Sequence, residues 1–379
     1  MKIMISAGEA SGDLLGANLA QALRKLQPDV ELLGMGGQKM EGAGVRILQG
    51  IDELGVIGIF AGIGLIRKLF MIRDRMIQAA IESQIDALVV IDYPEYNTRF
   101  ARRIYQLGIP VIFYVSPSAW AWREGRAKDV AKISDRVAAI FPFEAEVYQK
   151  AGAHVSYVGH PLVDIAKETM TDAEARTFFQ MTEYKKQVLV MPGSRKQEIE
   201  MLFPPMVDAI EILLQKDPNL EFFLPLASTI SEDVIRAMLK GKALPLRIVR
   251  DHVYDLMSVC QVGMITSGTA SLEAALLGVP SVILYQISGI SYWLGKKMIR
   301  LNHFGLPNII AGKEILPELI RNQVNGQNIA SEVARWLYDD EYREKTVKDL
   351  HDVKVLLGSE GAVMRAAEVV LEVASQKKE

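Results

Sequence analysis

Cysteine is almost absent: the chain of 379 residues holds one, Cys260. No intramolecular disulfide can form, and zinc sites built from several thiolates are excluded. The lone thiol lies in the apolar run Met257-Ser258-Val259-Cys260-Gln261-Val262-Gly263, which favours a small core residue over a nucleophile. Histidine is sparse as well. His154, His160, His252, His303 and His351 fall in no ligand spacing such as H-E-x-x-H, so no metal is expected. Neither sign of charge is in excess: at a formal net charge of −3 there is no global pull toward nucleic acid, and no nucleic-acid partner is expected. Long hydrophobic runs are missing too. The uncharged stretch Leu54–Ile66 is shorter than the roughly 20 residues that span a bilayer. At the N-terminus, Gly8 and Glu9 arrive before a signal-peptide core could form, so a cytoplasmic chain is expected. No Gly-x-Ser-x-Gly elbow is present, which disfavours a serine hydrolase.

What is present is apolar sequence in short, regular pieces. Half the residues are hydrophobic and 23% are charged, which excludes a disordered chain, and the length favours about two domains. Lys2–Ser6, Val30–Leu33, Ala87–Ile91, Val111–Val115, Val137–Ile140 and Val155–Val158 read as strands between amphipathic stretches. Continuous apolar runs mark parallel strands buried on both faces, so the fold class is α/β, doubly wound. The pattern breaks at Leu162–Lys186, which is polar and partly helical. It restarts with strands at Gln187–Met191, Glu221–Leu226, Leu246–Val249, Val262–Ile265 and Ser281–Tyr285. The expected organisation is a Rossmann-like domain over 1–165, a linker over 166–185 and a second Rossmann-like domain over 186–349. A helical tail, about 350–379, is expected to return to the first domain. Ligands of such sheets sit beyond the carboxyl ends of the strands. Two units facing each other would place the reaction in the cleft.

Each strand-to-helix loop therefore has a ligand reading and a plainer one. Gly8-Glu9-Ala10-Ser11-Gly12-Asp13 follows the first strand; it is not G-x-G-x-x-G, and Glu9 and Asp13 would repel a pyrophosphate. It is assigned to the cleft, against a tight turn with no ligand. Asp92 ends the strand Ala87–Ile91, where a carboxylate can accept a proton from an alcohol; the alternative is an Asx turn. Val115-Ser116-Pro117-Ser118-Ala119-Trp120-Ala121-Trp122-Arg123 carries two of the four tryptophans, which line the cleft, floor an acyl-chain site or pack in the core. Ser194 and Gln197 have capping-box spacing at the helix after Pro192-Gly193, and Arg195 beside that terminus suits a diphosphate. Ser267-Gly268-Thr269 repeats the arrangement, with Glu273 one turn into the helix, facing ribose hydroxyls or solvent.

Together these motifs resemble the lipid-A-disaccharide synthase family, inverting glycosyltransferases of two-Rossmann-domain (GT-B) architecture. The resemblance runs through nearly the whole chain, on the segments above and Leu306-Pro307-Asn308. It implies UDP-2,3-diacylglucosamine as donor and 2,3-diacylglucosamine 1-phosphate as acceptor. The products it implies are a β(1→6) disaccharide 1-phosphate and UDP. By the same resemblance Asp92 is the general base and Glu9 a second catalytic candidate of open role. Ser194, Arg195, Ser267, Gly268, Thr269, Glu273 and Asn308 fall to UDP, and Ser11, Gly12, Trp120, Trp122 and Arg123 to the acceptor and lipid side. It further implies no metal or cofactor, work at the cytoplasmic face of the Gram-negative inner membrane, and a homodimer permitted by exchange of C-terminal segments.

Two segments suit a lipid surface. Leu54–Ile66 runs into Arg67, Lys68, Arg73 and Arg75, and reads either as a buried loop and helix or as a greasy surface on anionic headgroups. Tyr292–Arg300, with Lys296 and Lys297, is the second. The rivals are a UDP-sugar 2-epimerase or soluble-acceptor transferase of the same architecture, and a non-catalytic nucleotide-sugar-binding regulator that needs no base at Asp92.

Overall fold

The continuous apolar runs form parallel strands in two sheets. The computed structural model describes residues 1–51, 63–117, 124–227, 230–286 and 303–376. Those residues group into two compact units, one of Met1–Ile165 with Leu357–Glu379 and one of Ala166–Leu356. Among the described residues no helix is long and apolar enough to cross a membrane.

The first unit carries β1 (Lys2–Ala7), β2 (Glu31–Gly36), β3 (Arg46–Gly50), β4 (Ala87–Ile91), β5 (Val111–Tyr114), β6 (Arg136–Ala139) and β7 (Val155–Tyr157). Their order is β3-β2-β1-β4-β5-β6-β7, and the paired strands run parallel. All of β4 is buried, as two covering helix layers require. Each Leu, Ile or Val so placed contributes about 1.5–3 kcal/mol. The helix Ala10–Leu26 covers one face and meets the returning helix Ala362–Ser375. That return is pinned by charge: Arg136 pairs with Glu372 at 2.9 Å, and Asp164 accepts from the amides of Gly361 (2.7 Å) and Val363 (2.9 Å).

The second unit carries β8 (Lys186–Met191), β9 (Leu220–Pro225), β10 (Leu246–Val249), β11 (Val262–Thr266), β12 (Ser281–Tyr285) and β13 (Glu318–Ile320), ordered β10-β9-β8-β11-β12-β13. The polar stretch 166–185, expected as a linker, is built into this unit. Its helix Asp172–Phe178 packs on Val253–Val259, and the buried Asp255 accepts from the amides of Thr169 (2.5 Å) and Met170 (2.7 Å). The tail also returns later than expected, since Asp340–Leu356 stays with the second unit.

Both sheets reverse direction beside their first strand: at β1/β4 in one and β8/β11 in the other. A doubly wound sheet opens its crevice at such a point, outside the carboxyl ends of the strands. The loops after these four strands are Gly8–Glu9, Asp92–Tyr93, Pro192–Arg195 and Ser267–Gly268.

Candidate functional site

In the first unit the register Ala7↔Ile91 sets Gly8 and Glu9 beside Asp92 and Tyr93. The chain here is bent sharply. Asp92 and Tyr93 both have φ of 50°, and Val115, after the neighbouring β5, has φ of 59°. Aspartate tolerates the left-handed region, whereas a bulky or β-branched residue is an outlier there, at a cost of order 1–3 kcal/mol each. Two such residues, Tyr93 and Val115, at adjacent strand ends on either side of the Asp92 turn mark a site held in a strained shape.

Asn97 supplies the hold. On the helix Pro94–Gln106, it is 1% exposed, and its Nδ2 donates to the carbonyls of Asp92 (2.7 Å), Ile91 (3.1 Å) and Ser6 (3.2 Å). Its Oδ1 accepts from the Ser6 hydroxyl at 2.7 Å, and the Asp92 amide donates to the Val115 carbonyl at 3.1 Å. One side chain thus ties β1 to the turn that presents the Asp92 carboxylate. Gly8 makes room for that turn, because a Cβ there would stand 2.2 Å from Tyr93 Cδ1. Burial and the carboxylates of Glu9 and Glu95 hold the Tyr93 phenol above its usual pKa, so it stays protonated and Glu9 is a close neighbour.

Two residues of the first loop have other duties. Asp13 is buried and accepts from the amides of Gly37 (2.7 Å), Lys39 (3.1 Å) and Met40 (3.1 Å), capping the helix Gln38–Gly42. Gly12 faces the sheet, since a Cβ there would meet Ala7 Cβ at 3.2 Å; its smallness serves helix–strand packing. Ser11 is half-buried on the same turn. Trp120, Trp122 and Arg123 lie outside the described residues, as do Leu54–Gly62 and Tyr292–Arg300. The rest of the first basic-apolar segment forms the helix Ile63–Ser83. Ile72, Met76 and Ala80 are buried there, with Phe70 and Met71 exposed beside Arg67 and Arg75.

In the second unit the register Ile265↔Met191 brings Pro192–Arg195 beside Ser267–Thr269. The capping box differs from the expected one by one position. The helix begins at Lys196, and it is Glu198 that accepts from the amides of Ser194 (3.1 Å) and Arg195 (3.3 Å). Glu198 also receives Arg195 Nη1 at 3.3 Å. A carboxylate therefore sits on the donors a diphosphate would use. Gly193, at φ of 126°, is obligatory twice over, as its Cβ would stand 2.4 Å from Glu198 Oε2. Gly268, at φ of 148°, opens the helix Thr269–Leu276 with no atom within 4 Å of a notional Cβ. Backbone can meet a ligand there. The Ser267 hydroxyl donates to the Phe304 carbonyl at 3.2 Å. Glu273 Oε1 accepts from the Tyr254 hydroxyl at 3.1 Å, and burial and Glu273 keep that phenol protonated.

Asn308, expected to approach a nucleotide from a loop, lies fully buried on the helix Leu306–Ala311. Its Nδ2 donates to the Leu316 carbonyl (2.8 Å) and Glu318 (2.7 Å), and its Oδ1 accepts from the amides of Ile315 (2.8 Å) and Leu316 (2.9 Å). Its hydrogen-bonding capacity is spent inside the unit. Conversely, Asn97, Glu198, Tyr254 and Tyr285 belong to these two sites and were not expected there. Tyr285 ends β12 with its phenol pKa raised by burial and by Glu198. A strand-end position is the one signal that could have found it.

The comparisons with known proteins agree over the full length. A family model described as lipid-A-disaccharide synthetase matches residues 3–373. The chain is 42% identical to lipid-A-disaccharide synthase of Geobacter sulfurreducens, covering 98% of this chain and 97% of that one. It is 37% identical to the enzyme of the same name from Nitrosococcus oceani, covering 97% and 95%. Among solved structures, a putative UDP-N-acetylglucosamine 2-epimerase from Listeria monocytogenes superposes with a TM-score of 0.70 at 13% identity, covering 99% and 97%. The UDP-GlcNAc 2-epimerase of Neisseria meningitidis gives 0.68 at 14% identity, with all of both chains covered. At such identities the structural likeness speaks for the fold alone.

Proposed function

The chain belongs to the lipid-A-disaccharide synthase family, and from that premise we propose that Asp92 is the base and Arg195 the diphosphate holder of one glycosyl transfer. The protein is a glycosyltransferase of lipid A disaccharide formation. In this reading the donor is UDP-2,3-diacylglucosamine and the acceptor 2,3-diacylglucosamine 1-phosphate. The acceptor's 6-hydroxyl oxygen attacks C1 of the donor from the face opposite the nucleotide while Asp92 takes its proton. The bond from C1 to the diphosphate oxygen breaks as the β(1→6) bond forms, and charge grows on the departing UDP. Arg195 and the amides of the two helix N-termini stabilise that charge. Glu273 accepts from the ribose hydroxyls, with Ser267 and Thr269 flanking the nucleotide. Glu9 stands with Asp92 on the acceptor side.

The observation that carries this reading is the strained turn at the end of β4, where a left-handed Asp92 is fixed by Asn97 at the sheet's switch point. A non-catalytic binder has no use for a carboxylate held at such cost. Exposed Phe70 and Met71, with basic neighbours, support a peripheral place on the cytoplasmic face of the inner membrane, where the acyl chains stay sheltered. The test is release of UDP from the donor with and without acceptor. Release that requires acceptor, together with a disaccharide product, upholds transfer. Release or epimerisation of the donor alone overturns it.

A further inference from the structure

Arginines from three helices converge on one cavity of the first unit, of about 560 Å³. Arg73 comes from Ile63–Ser83, Arg99, Arg102 and Arg103 from Pro94–Gln106, and Arg126 from Glu124–Ala131. Pro94 and Pro117 form part of the wall, so the cavity lies where the chain leaves β4 and β5, next to the Asp92 turn. Only two carboxylates among the described residues line it, Glu95 and Asp129. Glu95 is engaged with Arg126 at 3.4 Å, and Arg73 with Asp74, which is not in the lining, at 2.6 Å. Arg99 and Arg102 make no ion pair among the described residues; Arg99 lies over the Phe70 ring at 5.8 Å.

With Arg73 held by Asp74 and Arg126 by Glu95, three guanidinium groups, Arg99, Arg102 and Arg103, remain against the single carboxylate of Asp129, a local excess of positive charge that an anion offsets. The forked donors of arginine match phosphate oxygens two at a time. The apolar surface is contiguous, since Phe70 touches both Arg73 and Arg99 and is itself exposed. An anion bearing greasy chains satisfies both features. We propose that this cavity is a phosphomonoester subsite that grips the phosphate of the acylated acceptor and so presents its hydroxyl to Asp92. The proposal rests on the acceptor reading given above.

Turnover of the acceptor and of its dephosphorylated counterpart, by the wild type and by Arg99→Ala/Arg102→Ala, tests it. The wild type should prefer the phosphorylated acceptor. The double variant should lose that preference through a KM raised about tenfold or more, with the UDP dissociation constant unchanged. Arg99→Lys/Arg102→Lys should restore part of it, because charge survives without the fork. A double variant that still discriminates between the two acceptors overturns the proposal. So does one that keeps discrimination while losing binding to phosphatidylglycerol vesicles, for then the arginines serve the bilayer's phosphates. Should no acceptor be turned over at all, the failure belongs to the functional reading, and the subsite is read separately with glucosamine 1-phosphate. Binding by the full wild-type chain, weakened about tenfold in the double variant, upholds it; equal binding or none overturns it.

Discussion

Asn97 holds the main chain of Asp92 by an Nδ2 donation of 2.7 Å to its carbonyl, while the same amide group reaches the Ser6 carbonyl near the end of β1. Replacing it with alanine frees the strained turn and strands the Ser6 hydroxyl inside the protein. Asn97→Ala should lower stability by about 1–3 kcal/mol. It should reduce kcat on the order of 10²-fold through misplacement of the carboxylate. Because the residues proposed to hold the nucleotide belong to the other unit, UDP affinity should not change. Denaturant titration and steady-state rates check both halves, and a variant of full activity would remove Asn97 as the positioning group.

Asp92→Asn keeps the shape of the turn and removes only the proposed base. Its rate should fall by about 10²–10⁴ with folding and UDP binding intact. Raising the pH should not rescue it, since an amide has no ionisable form. Near-normal turnover would transfer the role to another group, with Glu9 the first to examine.

How far the sequence carried depends on whether a feature is local. β4 was legible to the residue because Ala87–Ile91 is an unbroken apolar run closed by Asp86 and Asp92. β3 and β13 were not read. Arg46–Gly50 has only two apolar side chains, Ile47 and Leu48, and pairs with one neighbour, β2, while Glu318–Ile320 is three residues at the edge of the other sheet. The loops after β1, β4, β8 and β11 were legible for the same reason as the strands before them. Side-chain partners were not. Asn97 meets Ser6 across 91 positions, and Asn308 makes four inward hydrogen bonds to three residues that its loop-like sequence, Leu306-Pro307-Asn308, gives no sign of. Cys260 is buried with its thiol pKa pushed up by desolvation, as its apolar neighbours implied.

Arg195 and Glu198 should oppose each other in UDP binding. Arg195→Ala removes a charge-assisted contact, and because the guanidinium is 60% exposed the loss should lie near the lower end of 1.5–3 kcal/mol. Glu198 accepts from the amides of Ser194 and Arg195, which the proposed diphosphate would need. Glu198→Gln removes the competing charge while keeping an oxygen to cap the helix, so UDP should bind several-fold tighter. Calorimetry on the two variants decides it; weakening in both would make Glu198 a support of the site instead of a rival of the ligand.

Stability should depend on pH through two buried groups near Phe141. Burial raises Glu144 from an ordinary 4.5 to about 7, although the amides of Ile140 and Phe141 donate to it. Between those values the folded chain keeps a proton that the unfolded chain releases, so stability falls as pH rises from 4.5 to 7. His160, whose ring is tilted against Phe141 at 4.9 Å, is pushed from 6.5 down to about 3 by burial. The unfolded chain then binds the extra proton, and stability falls as pH drops from 6.5 toward 3. Thermal unfolding at pH 5.5 and 8 should show a smaller alkaline loss for Glu144→Gln than for the wild type. Equal losses would mean that Glu144 titrates normally.

Gly8→Ala is the sharpest probe of the turn, because it touches no catalytic group. Its new methyl would stand 2.2 Å from Tyr93 Cδ1 and 2.9 Å from Tyr93 Cβ, distances no van der Waals contact allows, so Tyr93 and with it Asp92 must move. A displacement near 1 Å at the base is enough to cost about 10²-fold in kcat. UDP affinity should remain that of the wild type. Tyr93→Gly removes the clashing ring and suits the left-handed backbone, so Gly8→Ala/Tyr93→Gly should be faster than the product of the single effects predicts. Rates for the four proteins close the cycle. If the double variant shows only the product of the two single losses, the Gly8–Tyr93 contact does not govern where Asp92 points.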